Sequence, residues 1–190
     1  MTVTGLRLDV DLDRLPWIIG PTEQRPLEEW LPEAVTLMKE VFGVGRRQLE
    51  AENYLAAMLE RIGREEDERL PYQLIRWLDL RELPFVASFG MAERAGDEMI
   101  EEFLRSSDLG PVEPPVVEQL PAPAGSSIRR AITYSQPDAG VFVEVRYVVD
   151  TGHPEAVALL HAGSRSPAEV MAALEDLDAA AATLRVSSAA

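Results

Sequence analysis

The chain has no cysteine among its 190 residues, so disulfide bonds, thiol nucleophiles and cysteine-ligated zinc are not available to it. This composition fits a reducing compartment. No apolar run approaches the roughly 20 residues that a membrane-spanning helix needs. The first residues alternate between apolar and polar, unlike the apolar segment of a signal peptide. We therefore expect a cytoplasmic protein with no membrane partner.

Basic residues are also scarce, since 18 lysines and arginines face 33 aspartates and glutamates, which gives a net charge of -15. Lys39 is the only lysine, and the only basic pairs are Arg46-Arg47 and Arg129-Arg130. Such pairs are too short for the basic stripe of a nucleic-acid-binding protein, and the acidic field repels phosphate backbones. We expect no nucleic-acid partner. The acidity contributes to solubility and favours a protein partner with a basic surface.

Catalytic motifs are missing as well, including the nucleophile elbow, the P-loop, the HExxH zinc helix and the GxGxxG turn. His153 and His161 are the only histidines, and two imidazoles alone do not make a three-ligand zinc site. His161 alternates in phase with Val157 and Leu159, which predicts a hydrogen-bonded, partly buried histidine. His153 precedes a proline and is expected in a turn. The sequence therefore predicts no catalytic residue, no metal ligand and no cofactor, and it identifies no binding residue.

An enzymatic alternative stays open because Asp150 and His153 share one turn, while Ser164 and Ser166 follow the next strand. A serine-hydrolase arrangement of these side chains is conceivable in space. A metal-dependent enzyme would need carboxylates to join His153 or His161. Two charged stretches are candidates for metal ligands, namely Asp9, Asp11 and Asp13 and the run 64–69, but solvated charges are the commoner outcome.

The segment from Ile128 to Ala162 organises the predicted fold. Residues 141–149 alternate in a period of two, with valines and Tyr147 in one nearly apolar row, which predicts a half-buried central strand. Strands at 128–134 and 156–162 flank it, and turns at 136–140 and 150–154 separate the three. We expect an antiparallel three-stranded meander.

The sequence predicts a helix after the meander. Its start is indicated by Ser166, Pro167 and Glu169, which predict a serine N-cap and a capping box. Leu174 and Leu177 lie on its apolar side, and we expect them to pack against Val143, Val145 and Tyr147. Further elements follow from periodicity and turn residues: a strand at 6–12, helices at about 32–42 and 51–62, strands at 70–78 and 84–91, a helix at 97–104, and a proline-rich extended connection at 110–125 whose Val116-Val117 pair docks on a sheet edge. Trp17 and Trp77 are expected to be buried, although Trp77 on a strand is also a candidate for stacking on a ligand.

The order of these elements resembles the PsbP/Mog-type α/β/α sandwich family, which includes the LpqN-like bacterial lipoproteins. The features that carry the resemblance are the turn at Leu15-Pro16-Trp17, the helix containing Trp30, and the C-terminal sequence YVVDTG followed by AVALLHAGSRSPAEVMAALEDLDAAAATLRV. The resemblance implies a fold used mainly for binding proteins or ligands. It transfers no site residue, and the chain lacks the lipidated cysteine of the lipoproteins.

These observations predict an α+β fold with a single antiparallel sheet of about six strands flanked by helices, an α/β/α sandwich in one domain over residues 1–190. The predicted function is that of a cytoplasmic binding or adaptor module that recognises a small ligand or a protein partner with a basic surface. The alternative is a hydrolase or metal-dependent enzyme using His153 or His161.

Overall fold

The computed structural model describes residues 5–13, 15–45, 47–65, 67, 69–94, 96–107, 109–136 and 140–188. Within these residues the chain forms a seven-stranded antiparallel sheet, a two-stranded sheet and four helices. The helices are α1 (Leu27–Val41), α2 (Leu49–Gly63), α3 (Asp97–Arg105) and α4 (Pro167–Thr183). The strands are β1 (Leu6–Asp9), β2 (Ile18–Ile19), β3 (Tyr72–Arg76), β4 (Phe85–Glu93), β5 (Val116–Leu120), β6 (Ser127–Ser135), β7 (Phe142–Asp150), β8 (Ala156–Ser164) and β9 (Arg185–Ser188).

The prediction of an α/β/α sandwich with a single sheet of about six strands is wrong, although the fold is α+β. The main sheet has seven strands in the order β2-β3-β4-β8-β7-β6-β5. The strand predicted near the N-terminus exists, but β1 pairs with β9 in a separate two-stranded sheet, with Leu6 opposite Ser188. Both strands of this pair are only four residues long, so a period-two pattern in β9 is too short to predict a strand.

The meander between Ile128 and Ala162 is confirmed, since β6, β7 and β8 are antiparallel neighbours in that order. Part of the first predicted turn, residues 137–139, lies outside the described residues. β7 is not half-buried as predicted, because seven consecutive residues, 143–149, are buried on both faces of the sheet. The polar row of this strand therefore lies in the protein interior.

One face of the sheet, which we call the α4 face, is covered by α4. Val143, Val145 and Tyr147 of β7 form one apolar core with Leu177 of α4, as predicted, while Leu174 is only partly buried against that core. Ser166 lies at the N-cap of α4, but its side chain makes no capping hydrogen bond. The predicted capping box is therefore wrong.

The opposite face, which we call the α3 face, is covered by two separate groups of helices. α1 and α2 pack over β3 and β4 through Trp30, Leu55 and Ile75, and α3 packs over β6 to β8 through Leu104. α2, α3 and the β3–β4 hairpin are close to their predicted bounds. The strand registers show that the two helical groups lie on one face. Ile75 lies opposite Val86, and Ser88, two residues further along the same strand, lies opposite His161. His161 in turn lies opposite Arg146, so all five side chains are on the same face of the sheet.

The start of α1 was predicted at Pro32, yet the helix begins at Leu27 and contains Pro32 in its interior. The proline lacks the N–H that would bond to the carbonyl of residue 28. Trp30 offsets this loss, since it is fully buried and donates from Nε1 to the Ile19 carbonyl at 2.7 Å.

The proline-rich connection at 110–125 contains β5, which pairs with β6 at the edge of the sheet. Val117 lies opposite Ala131, so the predicted docking of the Val116-Val117 pair on a sheet edge is confirmed. The assignment of residues 1–190 to one domain stays a prediction.

Candidate functional site

Two charged residues of β7 are buried beneath α3, where the side chains of Glu144 and Arg146 are 5% and 7% exposed. Arg146 Nη2 donates to Glu144 Oε1 at 3.0 Å. Arg146 Nη1 donates to the Phe103 carbonyl at 3.0 Å and also to Ser106. Its guanidinium lies 5.6 Å from the centre of the Phe103 ring. The arginine thus joins the centre of the sheet to the last turn of α3.

Glu144 also connects His161 to a serine. Its Oε1 lies 3.3 Å from His161 Nε2, and its Oε2 accepts a hydrogen bond from Ser107 Oγ at 2.5 Å. Ser107 Oγ lies 2.9 Å from Ser135 Oγ. Burial raises the pKa of Glu144, but hydrogen bonds from His161 and Ser107 and the charge of Arg146 outweigh it and lower the pKa to about 2. We call these five residues, Ser107, Ser135, Glu144, Arg146 and His161, the Glu144 cluster.

The order of groups in the Glu144 cluster differs from that of a serine hydrolase. In a hydrolase the imidazole lies between the serine and the acid, so that it removes the hydroxyl proton. Here the carboxylate lies between His161 and Ser107, and a carboxylate with a low pKa is a weak general base. The prediction of a hydrogen-bonded, partly buried His161 is confirmed, since its side chain is 30% exposed.

The other histidine, His153, lies in the turn between β7 and β8, as predicted. Its Nδ1 accepts from the Glu155 N–H at 3.3 Å, and its carbonyl accepts from Arg94 Nε at 3.1 Å. The Asp150 carboxylate is bonded to Arg94 and to the Gly152 N–H. Neither side chain of this turn is therefore aimed at the other.

The hydroxyl of Ser164, one of the two serines of the hydrolase alternative, has other partners, and Ser166 takes part through its backbone N–H. Ser164 Oγ donates to Glu169 Oε2 at 2.7 Å and accepts from the Ser166 N–H at 3.0 Å. The structure thus does not join Asp150, His153 and these serines in one hydrogen-bonded arrangement. The hydrolase alternative gains no support from these contacts.

The remaining residues that the sequence indicated as candidates for binding a metal or a ligand contact neighbouring groups of the protein. Asp9 pairs with Arg7 at 2.6 Å, and Asp11 accepts from the Asp13 N–H. Trp77 is buried, donates to the Asp79 and Glu82 carbonyls, and is not a platform for a ligand. Across the described ranges, no three histidine, aspartate or glutamate side chains are grouped as metal ligands, and no helix is long and apolar enough to span a membrane.

A cleft of about 420 Å³ lies where the start of α1, the end of α2 and β3 meet, and we call it the acidic cleft. Its described lining residues are Pro21, Thr22, Glu23, Pro26, Leu27, Gly63, Glu65, Asp67, Pro71 and Gln73. Gly63 packs closely against Leu27 at this junction, and a Cβ at its position would lie 2.7 Å from Leu27 Cδ1, so the leucine side chain would have to shift. Three prolines and a leucine contribute apolar surface to its lining, and three of the lining residues carry carboxylates.

The charged side chains that line the acidic cleft, among the residues that the structure describes, are all acidic. Glu23, Glu65 and Asp67 form no ion pair with any described basic residue. The C-terminal end of α2 adds negative partial charge at the cleft, and the N-terminal end of α1 adds positive partial charge there, so the two helix dipoles oppose each other and the full charges of the carboxylates dominate. Together these groups favour a positively charged ligand.

A second cleft, of about 520 Å³, lies between α3 and the sheet and is lined by Arg94, Gly96, Ile100, Ser127, Arg129, Val148 and Asp150. Its two arginines already have partners. Arg94 is bonded to Asp150, and Arg129 Nη1 lies 2.9 Å from Glu101 Oε1. These pairs neutralise the guanidinium groups, so this cleft offers an incoming anion less charge than its arginines imply.

The sequence did not predict either the Glu144 cluster or the acidic cleft. The alternation in β7 placed Glu144 and Arg146 in the polar row, which we assigned to solvent. Glu65 and Asp67 belong to the charged run 64–69, which was interpreted as a hydrated turn, and Glu66 and Glu68 of that run lie outside the described residues. A glutamate and an arginine two residues apart inside a valine-rich strand are a signal that could have indicated a buried ion pair.

Comparisons with known proteins give little further guidance. No protein-family model matches the chain, and no curated protein sequence matches it. Among solved structures, the chain is similar to LpqN, which is involved in cell envelope biogenesis of Mycobacterium tuberculosis. The sequence identity is 11%, the match covers 65% of this chain and 75% of the LpqN chain, and the TM-score is 0.46. The likeness is a distant structural one that carries no argument about function, and membership of the PsbP/Mog-type family stays a prediction.

Proposed function

We propose that this protein is a binding module that recognises a positively charged group, on a protein partner or a small ligand, through the acidic cleft. The observation that carries the proposal is a concave site with apolar walls and three carboxylates that have no ion-pair partner among the described residues. Its volume of about 420 Å³ lies in the range of about 300–1,000 Å³ that is typical of ligand sites. A cytoplasmic location stays part of the proposal.

The charge of the whole chain supports the same ligand class. A net charge of -15 attracts cations over long distances and accelerates their encounter with the protein. Salt screens this attraction over about 8–10 Å at physiological ionic strength. Binding of a cation to the acidic cleft should therefore weaken as salt increases, while contacts with the apolar walls are little affected.

The proposal is tested with a capped peptide that has one lysine between alanines, titrated into the protein and followed by NMR. The comparison peptide has glutamate in place of lysine. We expect the lysine peptide to shift amide signals around Gly63 and Gln73 and the glutamate peptide to shift none. Shifts of these signals by the glutamate peptide would contradict the proposal.

A pair of variants locates the binding. Glu23→Gln combined with Glu65→Gln removes two carboxylates of the cleft, and we expect about 2- to 30-fold weaker binding of the lysine peptide. The matched control is Glu113→Gln combined with Glu175→Gln, which removes the same charge from exposed positions elsewhere. An equal loss in both double variants would mean that the peptide responds only to net charge and would overturn the assignment to the cleft.

A further inference from the structure

We infer that a protein partner docks an amphipathic helix, apolar on one side and basic at its flanks, on the part of the α4 face that β5 and β6 form. This surface lies on the opposite face of the sheet from the acidic cleft, and the inference does not depend on the proposed function. Three features support it: the incomplete cover of the α4 face, the short free edge of β5, and the charges around the exposed apolar side chains.

Most of the α4 face is covered by other parts of the chain. Trp17 and Val186 belong to the same apolar core as Leu74 of β3 and Phe89 of β4, and α4 packs over β7 and β8. Neighbouring strands are about 4.8 Å apart and a helix is about 10 Å wide, so one helix covers two strands. Beyond α4 the sheet continues for two more strands, β6 and β5, over which no second helix lies in the described ranges. The sheet there has room for one more helix.

Apolar side chains are exposed at one end of these two strands. Tyr134 of β6 lies opposite Val143 and therefore points to the α4 face, as does Ile132 two residues earlier. Val116 of β5 lies opposite Ile132, and Val141 comes two residues before Val143. Tyr134, Val116 and Val141 are exposed, while Ile132 is partly buried beneath them. The exposed side chains thus lie next to the apolar core.

Two further apolar residues border this surface. The Val112 N–H donates to the Tyr134 carbonyl at 2.8 Å. Met171 lies two turns before Asp178 on α4, and Asp178 is bonded to Arg130 of β6, so Met171 is on the side of α4 that faces β6. The name β5–β6 patch denotes five residues that are 42% to 64% exposed, namely Val112, Val116, Tyr134, Val141 and Met171. Exposed apolar surface of this kind, bordered by polar residues, is typical of an interaction site.

The free edge of β5 disfavours an added strand as the docking element. Each end of β5 is flanked by a proline, which has no N–H. Because the Val112 N–H donates to the Tyr134 carbonyl, every second residue of β6 counted from Tyr134 directs its backbone toward β5. In the register of β5, the residues that direct their N–H groups outward are then Val117 and Gln119. Two such groups offer an added strand few hydrogen bonds, which favours a helix that packs on the face of the sheet.

Carboxylates border the β5–β6 patch on the segments that form it. Those beside β5 and along α4 are Glu113, Glu118, Glu175 and Asp178. Arg130 is bonded to Glu118 and Asp178 and is only 12% exposed, so its charge is neutralised within the protein, and Arg165 in the loop before α4 is exposed. The excess of carboxylates favours a partner with basic residues and disfavours a second copy of this chain, whose net charge is also -15.

The experiment uses a synthetic helical peptide of about 18 residues, which makes about five turns. Its leucines recur at i, i+3, i+4 and i+7, and its other positions are lysine and alanine. We expect this leucine–lysine peptide, titrated into the isotope-labelled native protein, to shift the amide signals of Val116, Ile132 and Tyr134. A peptide of the same composition with its leucines distributed around the helix should bind there roughly tenfold more weakly, because it has no apolar side. Equal binding of the two peptides, or no shift at these residues, would overturn the inference.

A pair of double variants tests the apolar contacts. Val116→Ser combined with Met171→Ser should weaken binding of the leucine–lysine peptide roughly tenfold or more. The matched control is Val41→Ser combined with Leu49→Ser, which removes two similarly exposed apolar side chains from α1 and α2. An equal loss in both would show that the peptide follows exposed apolar surface in general, which contradicts docking at the patch. Thermal unfolding verifies that each variant folds, and the titration of the native protein decides the site in either case.

A second pair tests the charges and separates this surface from the acidic cleft. Glu113→Gln combined with Glu175→Gln should weaken binding of the leucine–lysine peptide by about 2- to 30-fold, and Glu23→Gln combined with Glu65→Gln should weaken it less. The opposite ranking is expected for the single-lysine peptide that tests the cleft. Equal effects of the two pairs on the leucine–lysine peptide would overturn the assignment of a basic partner to this surface.

Other occupants of the β5–β6 patch would give different results. A second copy of the chain would appear in sedimentation as a dimer that Val116→Ser combined with Met171→Ser abolishes. An added strand would slow hydrogen exchange of the Val117 and Gln119 amides when the leucine–lysine peptide is bound. Either result would overturn the assignment of a partner helix, whereas a monomer at all concentrations, with unchanged exchange of these two amides, would support it.

Discussion

The two faces of the seven-stranded sheet are both covered by helices, yet they are stabilised differently. On the α4 face, Val143, Val145 and Leu177 pack in an apolar core. On the α3 face, the same strand β7 presents Glu144 and Arg146, whose charges are buried, paired and hydrogen-bonded. Apolar burial stabilises regardless of orientation, whereas a buried charge is tolerated only with its specific partners. The packing of the α3 face therefore depends on particular pairs of charged and hydrogen-bonding groups. Both clefts lie on that side of the sheet.

The largest expected effect is on the α3 face. Arg146→Ala should lower the free energy of unfolding by about 3–5 kcal/mol, because it leaves the Glu144 carboxylate buried without its charged partner. Urea unfolding measures this loss. The control is Arg81→Ala, which breaks an ion pair whose arginine side chain is 88% exposed, so solvent screens it and the expected loss is much smaller than that of Arg146→Ala. Similar losses in the two variants would show that the buried pair is no more important than a surface pair.

The apolar core on the α4 face should be destabilised when a buried side chain is shortened. Leu177 is fully buried, and Leu177→Ala should destabilise the protein by about 2–5 kcal/mol through the cavity it leaves. Met171 lies on the same helix but is 52% exposed, so Met171→Ala should change stability by less than about 0.5 kcal/mol. Thermal and urea unfolding of both variants would reveal a misplaced apolar face if the two losses were equal.

The smallest expected effect is the acid dependence of the α3 face. The pKa of Glu144 is lowered from 4.5 to about 2 in the folded protein, so its contribution to stability is complete above pH 4.5 and is lost as the pH falls toward 2. We expect the native protein to lose about 1–2 kcal/mol more than Glu144→Gln between pH 4.5 and about pH 3. Unfolding by urea at a series of pH values gives both slopes.

An exposed carboxylate provides the control for this pH experiment. Hydrogen bonds from Arg81 lower the pKa of Asp79 to about 2, but this pair is in contact with solvent. The pH-dependent difference between the native protein and Asp79→Asn should shrink at about 1 M salt, while that of Glu144→Gln should persist, because buried pairs are screened less. Equal loss of both differences in salt would contradict the burial of the Glu144 cluster.

Periodicity in the sequence predicted most of the elements, including the meander, the β3–β4 hairpin and the four helices. The predictions that are wrong are those in which contacts between distant parts of the chain override a local sequence rule. The local rule for proline predicts a helix start at Pro32, but the burial of Trp30 and its hydrogen bond to the Ile19 carbonyl stabilise an earlier turn. Ser166 and Glu169 match a capping box, yet Ser164 provides the hydroxyl that bonds to Glu169.

The candidate site was predictable only in its parts. Glu65 and Asp67 were visible as charges and Gln73 as a polar residue of a predicted strand. Nothing local to these residues connects them to the prolines at 21 and 26, which lie about 40 to 50 positions earlier in the chain. The acidic cleft forms because α1 and α2 pack against each other and place Gly63 beside Leu27.

The sequence by itself determined most of the segments that form strands and helices and that the molecule is strongly acidic, because backbone preference, side-chain alternation and charge are local properties. The tertiary structure alone decided that β1 pairs with β9, that α3 buries the polar row of β7, and that carboxylates from two loops line one cleft together with three prolines. The alternation of apolar and polar residues indicates only that the two faces of a strand differ in polarity. Whether a polar row faces water or a helix depends on how distant segments pack, and that packing is a property of the whole chain.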